Sequence, residues 1–334
     1  MVVRDNNNFG GLWVGDGAIV TLSNSTIQNN SHGDAGGGIF CRESIISINN
    51  SIIDDNYSGD QGGGIYVDDC EISIINSIIS NNDAADQGGG IYFTSISAEN
   101  NPQITNVLIK DNEANDGGGI YAYDTNPSIE NATIVNNSAS TNGGAIYANS
   151  SNVGMNNSIV WNNPSDQQVY VYSGGFWPYY SNVQYYNGSN TGVIDMIPVF
   201  KDPENGDYTL QAGSPCIDAG DPSSDLDPDG TVADMGAYYF DQSPIYVSPT
   251  GSDSNDGSEN SPMATIQAGL DASSYAVKVL AGEYVMSNNE LLPEGISITL
   301  DPGVRLKFEE NINFQIKGEL IAKGTLSNNI IFTS

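Results

Sequence analysis

Basic residues are scarce in this chain of 334 residues: 9 Lys and Arg stand against 41 Asp and Glu, with one His, for a formal net charge of −32. Nucleic acids and anionic membrane surfaces are bound through basic patches, so the deficit excludes both as partners. An acidic excess of this size is tolerated where salt and divalent cations screen it, which points to a secreted or cell-surface protein. Cysteine is also sparse. Cys41, Cys70 and Cys216 are too few and too odd for a disulfide framework. Cys41 and Cys70 lie 29 positions apart, out of step with the 26-residue repeat described below, so all three are expected as buried thiols. No apolar run is long enough to span a bilayer, and membrane insertion is not expected. The opening Met1-Val2-Val3-Arg4-Asp5 has no apolar leader, so the chain reads as a mature form or a fragment. A sustained 3.6-residue period is missing as well, which argues against helices.

Glycine is abundant, and it is ordered. Gly36-Gly37-Gly38-Ile39-Phe40 recurs as Gly62-Gly63-Gly64-Ile65-Tyr66, Gly88-Gly89-Gly90-Ile91-Tyr92, Gly117-Gly118-Gly119-Ile120-Tyr121 and Gly143-Gly144-Ala145-Ile146-Tyr147. A degenerate first copy is Phe9-Gly10-Gly11-Leu12-Trp13, and the spacings are 27, 26, 26, 29 and 26. A fixed period in this range is the signature of a solenoid. Two asparagine series keep the same step: Asn24, Asn50, Asn76, Asn106, Asn131, Asn157, and Asn30, Asn56, Asn82, Asn112, Asn137, Asn163. The extra three or four residues before the fourth full copy therefore belong in one loop.

Between these landmarks lie short alternating runs such as Ile72-Ser73-Ile74, bounded by Gly, Asn, Asp and Ser, which read as strands and turns. Three short strands fit a coil of about 26 residues, and equivalent residues then stack at the strand spacing of roughly 4.8 Å. The chain is thus predicted to be all-β, a parallel β-helix of six coils over residues 1–163. Stacked asparagines can hydrogen-bond from coil to coil, and the Gly triplets suit a turn with positive φ or a close backbone approach. Ile39 and Cys41 face inward, so the residue between them faces out. That outer column reads Trp13, Phe40, Tyr66, Tyr92, Tyr121, Tyr147. A further column, Asp34, Asp60 and Asp86 with Asp116 offset by one, is expected to splay into water.

These repeats resemble the right-handed parallel β-helix superfamily typified by pectin and pectate lyases, and more closely the Gly-Gly-Ile repeats of bacterial cell-surface β-helix proteins. The resemblance covers residues 1–163 and implies the fold, not an activity. Residues 164–243 form an irregular segment whose first part is dense in aromatics, expected to cover the outer column or to stack on carbohydrate. Asp202-Pro203-Glu204-Asn205-Gly206-Asp207-Tyr208, Ser214-Pro215-Cys216-Ile217-Asp218 and Asp234-Met235-Gly236-Ala237-Tyr238 resemble the closing segments of secreted β-helix modules. Inside it, Asp225-Leu226-Asp227-Pro228-Asp229-Gly230 sets carboxylates at alternate positions before a glycine, a pattern suited to structural Ca²⁺ held by Asp225, Asp227 and Asp229. From Ile245, Tyr246-Val247-Ser248-Pro249 and a short helix over Ala264 to Ala272 resemble the entry of a pectate-lyase-like β-helix, so residues 244–334 are read as the start of a second one.

Two open coil ends are then expected, Met1, Val2 and Val3 at one and Ile330, Ile331, Phe332, Thr333 and Ser334 at the other. The leading functional reading is an extracellular structural subunit or module that assembles head to tail with copies of itself. A carbohydrate-binding adhesin using the outer aromatic column is the alternative. A polysaccharide lyase or glycoside hydrolase of β-helix type is the third. Catalysis is disfavoured because Arg4, Arg42 and Lys110 occupy different coil positions, His32 lies in a turn, and neighbouring carboxylates such as Asp54 and Asp55 point to opposite faces of a strand. No catalytic residue is assigned.

Overall fold

One corner of each repeat is an asparagine in a left-handed backbone. Asn24, Asn50, Asn76, Asn106, Asn131 and Asn157 all adopt φ between 46° and 55°, the αL region in which Asn is among the few non-glycine residues at ease. The computed structural model describes residues 1–94, 101–165 and 167–334. It divides into two units, Met1–Asp227 with Val232–Tyr239, and Pro228–Thr231 with Phe240–Ser334.

In the first unit a typical coil runs through Ile65–Asp68, Glu71–Ile75 and Ile78–Ser80, then a two-residue strand, Asp83–Ala84, that leads into the next Gly triplet. Corresponding strands pair in parallel and build sheets of seven, seven, eight and six strands. Their register is the sequence period: Tyr66 pairs with Tyr92, and Ile48 with Ile74. The predicted parallel β-helix with three strands per coil is therefore what the chain forms, with the two-residue strand added at one corner. Its interior is built of columns of buried residues, including Ile39, Ile65, Ile91, Ile120 and Ile146 from one sheet and Ile48, Ile74, Ile104 and Ile129 from the next. The four inserted residues fall between Thr94 and Gln103, and the loop predicted there lies largely outside the described residues.

Of the two asparagine series, the second forms a continuous coil-to-coil ladder, while the first contributes the bond from Asn106 Nδ2 to Asn76 Oδ1 at 3.0 Å. Nδ2 of Asn30, Asn56, Asn82, Asn112 and Asn137 donates to Oδ1 of the next rung at 2.8–2.9 Å, ending at Asn163. The other amide hydrogen of Asn56, Asn82 and Asn112 goes to Ile27 O, Ile53 O and Ile79 O at 3.0 Å, and each Oδ1 also accepts a backbone N–H, as Asn82 Oδ1 does from Asn56 N at 3.1 Å. These amides are buried yet fully satisfied, which is the condition for polar groups inside a core. The first series instead makes the corner, and the serine that follows carries the coil-to-coil bond. Ser25 N donates to Ser51 Oγ, and Ser51 N to Ser77 Oγ, both at 3.1 Å.

The Gly triplet does two jobs. Its first residue turns the chain with positive φ, 64° at Gly62 and 67° at Gly88. Its third lies against the next coil: a Cβ on Gly64 would sit 2.6 Å from Gly90 O and 3.0 Å from the Asn82 amide. A side chain at Gly64 would therefore force the next coil to shift, although Ala145 fills the equivalent position in the last copy.

The cysteines correct an expectation. Cys41 and Cys70 are not free thiols but a disulfide, with Cα atoms 6.3 Å apart. Cys41 is level with Val67 in the next coil, and the chain then turns through Asp69 (φ 49°) before Cys70. A spacing of one period plus three residues thus carries the second cysteine around the corner and aims it back at the first. Cys70 occupies the corner position held by Ser44 one coil earlier. Cys216 is a buried free thiol whose burial lifts its pKa to about 11.

The sheets do not stop at Asn163. Val169–Val171, Gly174–Tyr179 and Asn182–Val183 each add a parallel strand to one of them, forming a seventh coil. Its corner is Tyr180 (φ 42°) followed by Ser181, whose Oγ accepts from Ser158 N at 3.1 Å. The chain then returns along the outside. Phe200, Tyr208 and Tyr238 pack with Ile78, Leu108, Val135 and Trp161 on the outer face of the eight-stranded sheet. Tyr208 OH accepts from Asn136 Nδ2 at 2.7 Å, and Ala237 N donates to Thr133 Oγ1 at 2.9 Å. This cover lies over a different sheet from the aromatic column.

The second unit repeats the plan on a smaller scale. Ile245–Val247, Ala276–Val279, Ser297–Leu300 and Glu319–Ala322 form one parallel sheet, and Gly282–Met286, Val304–Phe308 and Ile331–Thr333 another. A helix, Ile266–Ala272, is N-capped by Thr265, whose hydroxyl accepts from Ala268 N. Ile266 and Leu270 pack with Val247, Val277 and Ile298 in the core.

Candidate functional site

The outer aromatic column is one continuous stack. Trp13, Phe40, Tyr66, Tyr92, Tyr121 and Tyr147 lie nearly parallel, with centroids 4.6–6.3 Å apart and interplanar angles of 4–15°. Tyr170 of the seventh coil extends it at 5.0 Å, tilted by 44°. The rings follow from the register: equivalent residues repeat at the strand spacing, close to the contact distance of stacked π systems. They form a cluster of their own, apart from the interior core, in which Tyr66, Tyr92, Tyr121 and Tyr147 are only 4–9 % exposed. Each of these tyrosines therefore spends both ring faces on its neighbours and turns an edge outward. Sugars stack on ring faces, so what this column offers a ligand is a row of edges and hydroxyl groups. Burial raises the pKa values of Tyr66, Tyr92 and Tyr121 and pushes that of Tyr147 up to about 12, so the hydroxyls stay neutral.

Charged groups near the stack are few and mostly tied. Arg42 Nε donates to Asp68 at 2.8 Å, and the guanidinium lies 5.4 Å from the Phe40 centroid. Along the acidic column, burial together with Asp86 and Asp34 raises the pKa of Asp60, and burial raises that of Asp116. Thus two members of this column are partly withdrawn from water. The residues weighed for catalysis are not assembled: Arg4 pairs with Asp5, Lys110 with Asp111 at 2.7 Å, and His32 Nδ1 accepts from Asp34 N at 3.1 Å.

In the Asp-x-Asp-x-Asp-Gly run, Asp225 and Asp227 fall in the first unit and Asp229 in the second. Asp227 Oδ2 accepts from Asp234 N at 2.9 Å. Asp229 Oδ1 accepts from Thr231 N and Oγ1, and Oδ2 from Gln242 N at 2.7 Å, bonds that hold its pKa low despite the opposing effect of burial. Among the described residues, no group of three or more His, Cys, Asp or Glu side chains is disposed to hold a metal ion.

The expected assembly residues lie on sheet edges. Val2–Arg4, Leu12–Val14 and Ile19–Ser23 each end a sheet of the first unit. Val3, Leu12 and Val20 are level with the interior residues Ile27, Ile39 and Ile46, yet they are only partly buried. Met1 and Val2 are exposed. In the second unit Ile331–Thr333 ends its sheet, and Phe332, level with the buried Leu306, is half exposed.

Residues 3–129 match the family model of the right-handed β-helix region, and residues 131–149 match that of the Chlamydia polymorphic membrane protein repeat. No curated protein and no solved structure matches the chain. Both matches fall on repeats, and neither brings an activity with it.

Proposed function

We propose that this right-handed parallel β-helix is a structural module of a secreted or cell-surface protein, and that its coils continue by stacking on those of another β-helix. The stacking coil is that of a second copy of the chain. The observation that carries the proposal is the edge of the first coil, where Val3, Leu12 and Val20 occupy interior positions without interior burial. A sheet edge with free backbone groups invites another strand, and a heterologous contact of this kind propagates.

A surface or secreted location is supported by the match to the polymorphic membrane protein repeat, the Cys41–Cys70 disulfide and the net charge of −32. Disulfides persist in oxidising compartments. Sedimentation velocity over a concentration series tests the stacking. The chain should sediment faster as concentration rises, and Val2→Lys with Ile19→Lys, both at exposed edge positions, should abolish the effect. A single unchanging species in both proteins would refute it.

A further inference from the structure

The amide ladder ends in a cavity. At the seventh coil of the first unit, lined among the described residues by 162–165, 167–169 and 183–187, lies a space of about 880 Å³, within the usual size range of small-molecule sites. Asn163, the last rung, donates to Gln168 Oε1 at 3.3 Å, and Gln168 Nε2 donates to Gln184 O. Gln184 Oε1 accepts from Asn162 N at 2.8 Å, and among the described residues no partner takes its Nε2 hydrogens. The wall is completed by Phe176 and Tyr186, packed edge to face at 6.2 Å, and by Tyr185, which is 80 % exposed.

Two properties set the ligand chemistry. Six of the lining residues are Asn or Gln, groups that both donate to and accept from hydroxyls. None of the described lining residues is charged, and the Asp195 carboxylate accepts from Tyr185 N at 3.0 Å beside them, so an anion finds no cation there to pair with. Unlike the rings of the outer column, the Tyr185 ring is open to stacking. Amides for hydroxyls and an exposed aromatic for the apolar face of a sugar ring are complementary to a neutral saccharide. We propose that this cavity binds a neutral oligosaccharide, held by Gln184 and stacked on Tyr185, with Gln168 fixed behind them by its bonds to Asn163 and Gln184 O. This site is independent of coil stacking, and the two can fail separately.

Saturation-transfer NMR on the full chain with maltotriose, cellotriose and N,N′-diacetylchitobiose tests it, with digalacturonate as the charged comparison. At least one neutral sugar should show transfer. Tyr185→Ala, a surface change that leaves the fold intact, should weaken its binding about 3- to 10-fold, and Gln184→Ala should weaken it comparably. Tyr57→Ala, on a distant exposed tyrosine, should leave it unchanged. Absence of transfer to all three neutral sugars would overturn the proposal. Binding indifferent to both cavity variants, or stronger for digalacturonate, would do the same.

Discussion

At the scale of single residues, two asparagines that look alike in the sequence do different work. Asn82 is buried in the ladder, while Asn50 is exposed at a corner with φ 47°. Asn82→Ala strips Asn56 of the acceptor for both its side-chain and its backbone N–H. With two buried donors orphaned, a loss of roughly 2 to 5 kcal/mol is expected in urea unfolding. Asn50→Gly keeps the corner and should change stability by less than about 1 kcal/mol. Equal losses in the two variants would contradict this assignment.

Glu290 gives a pH-dependent contrast in the second unit. It is 7 % exposed, its Oε2 has no hydrogen-bond partner among the described residues, and burial, with a smaller effect of Asp271, lifts its pKa from 4.5 to about 7. The protonated form is the one the fold prefers. Its contribution is therefore full below pH 4.5 and lost as pH rises through 7, a change on the order of 3 kcal/mol. Glu290→Gln should flatten the stability profile over that window and melt above wild type at pH 8. An unchanged profile would count against a buried acid.

At the scale of elements, the period, strand order, core columns and aromatic stack were legible because a solenoid writes its geometry as a fixed spacing. What escaped depends on corners. The disulfide was hidden because Cys70 is one period plus three residues from Cys41, and the register alone does not show which residues face each other across a turn. The seventh coil was hidden because Tyr180-Ser181 stands where earlier coils have Asn-Ser. The Asn-Ser pair itself, repeated at 24–25, 50–51 and 76–77, is the sequence signal of the serine bonds.

Two predictions belong at this scale. Under denaturing but non-reducing conditions one thiol, Cys216, should titrate. Cys41→Val with Cys70→Ser, which installs residues already used at the equivalent positions Val67 and Ser44, should cost about 2 to 4 kcal/mol from loss of the cross-link. Three titratable thiols would contradict the disulfide.

At the scale of the whole molecule, the chain joins one β-helix of seven coils and its returning cover to a second unit built on the same plan. Neither acidity nor the scattered bases favour chemistry on its surface. What the coils do present is a sheet edge whose interior positions are half buried, and stacking is the property that edge supports. Negative-stain electron microscopy of the purified chain, beside Val2→Lys with Ile19→Lys, tests this most directly. The wild-type particles are expected to join end to end into linear assemblies while the variant stays as single particles. Single particles in both, across protein and salt concentrations, would contradict coil stacking.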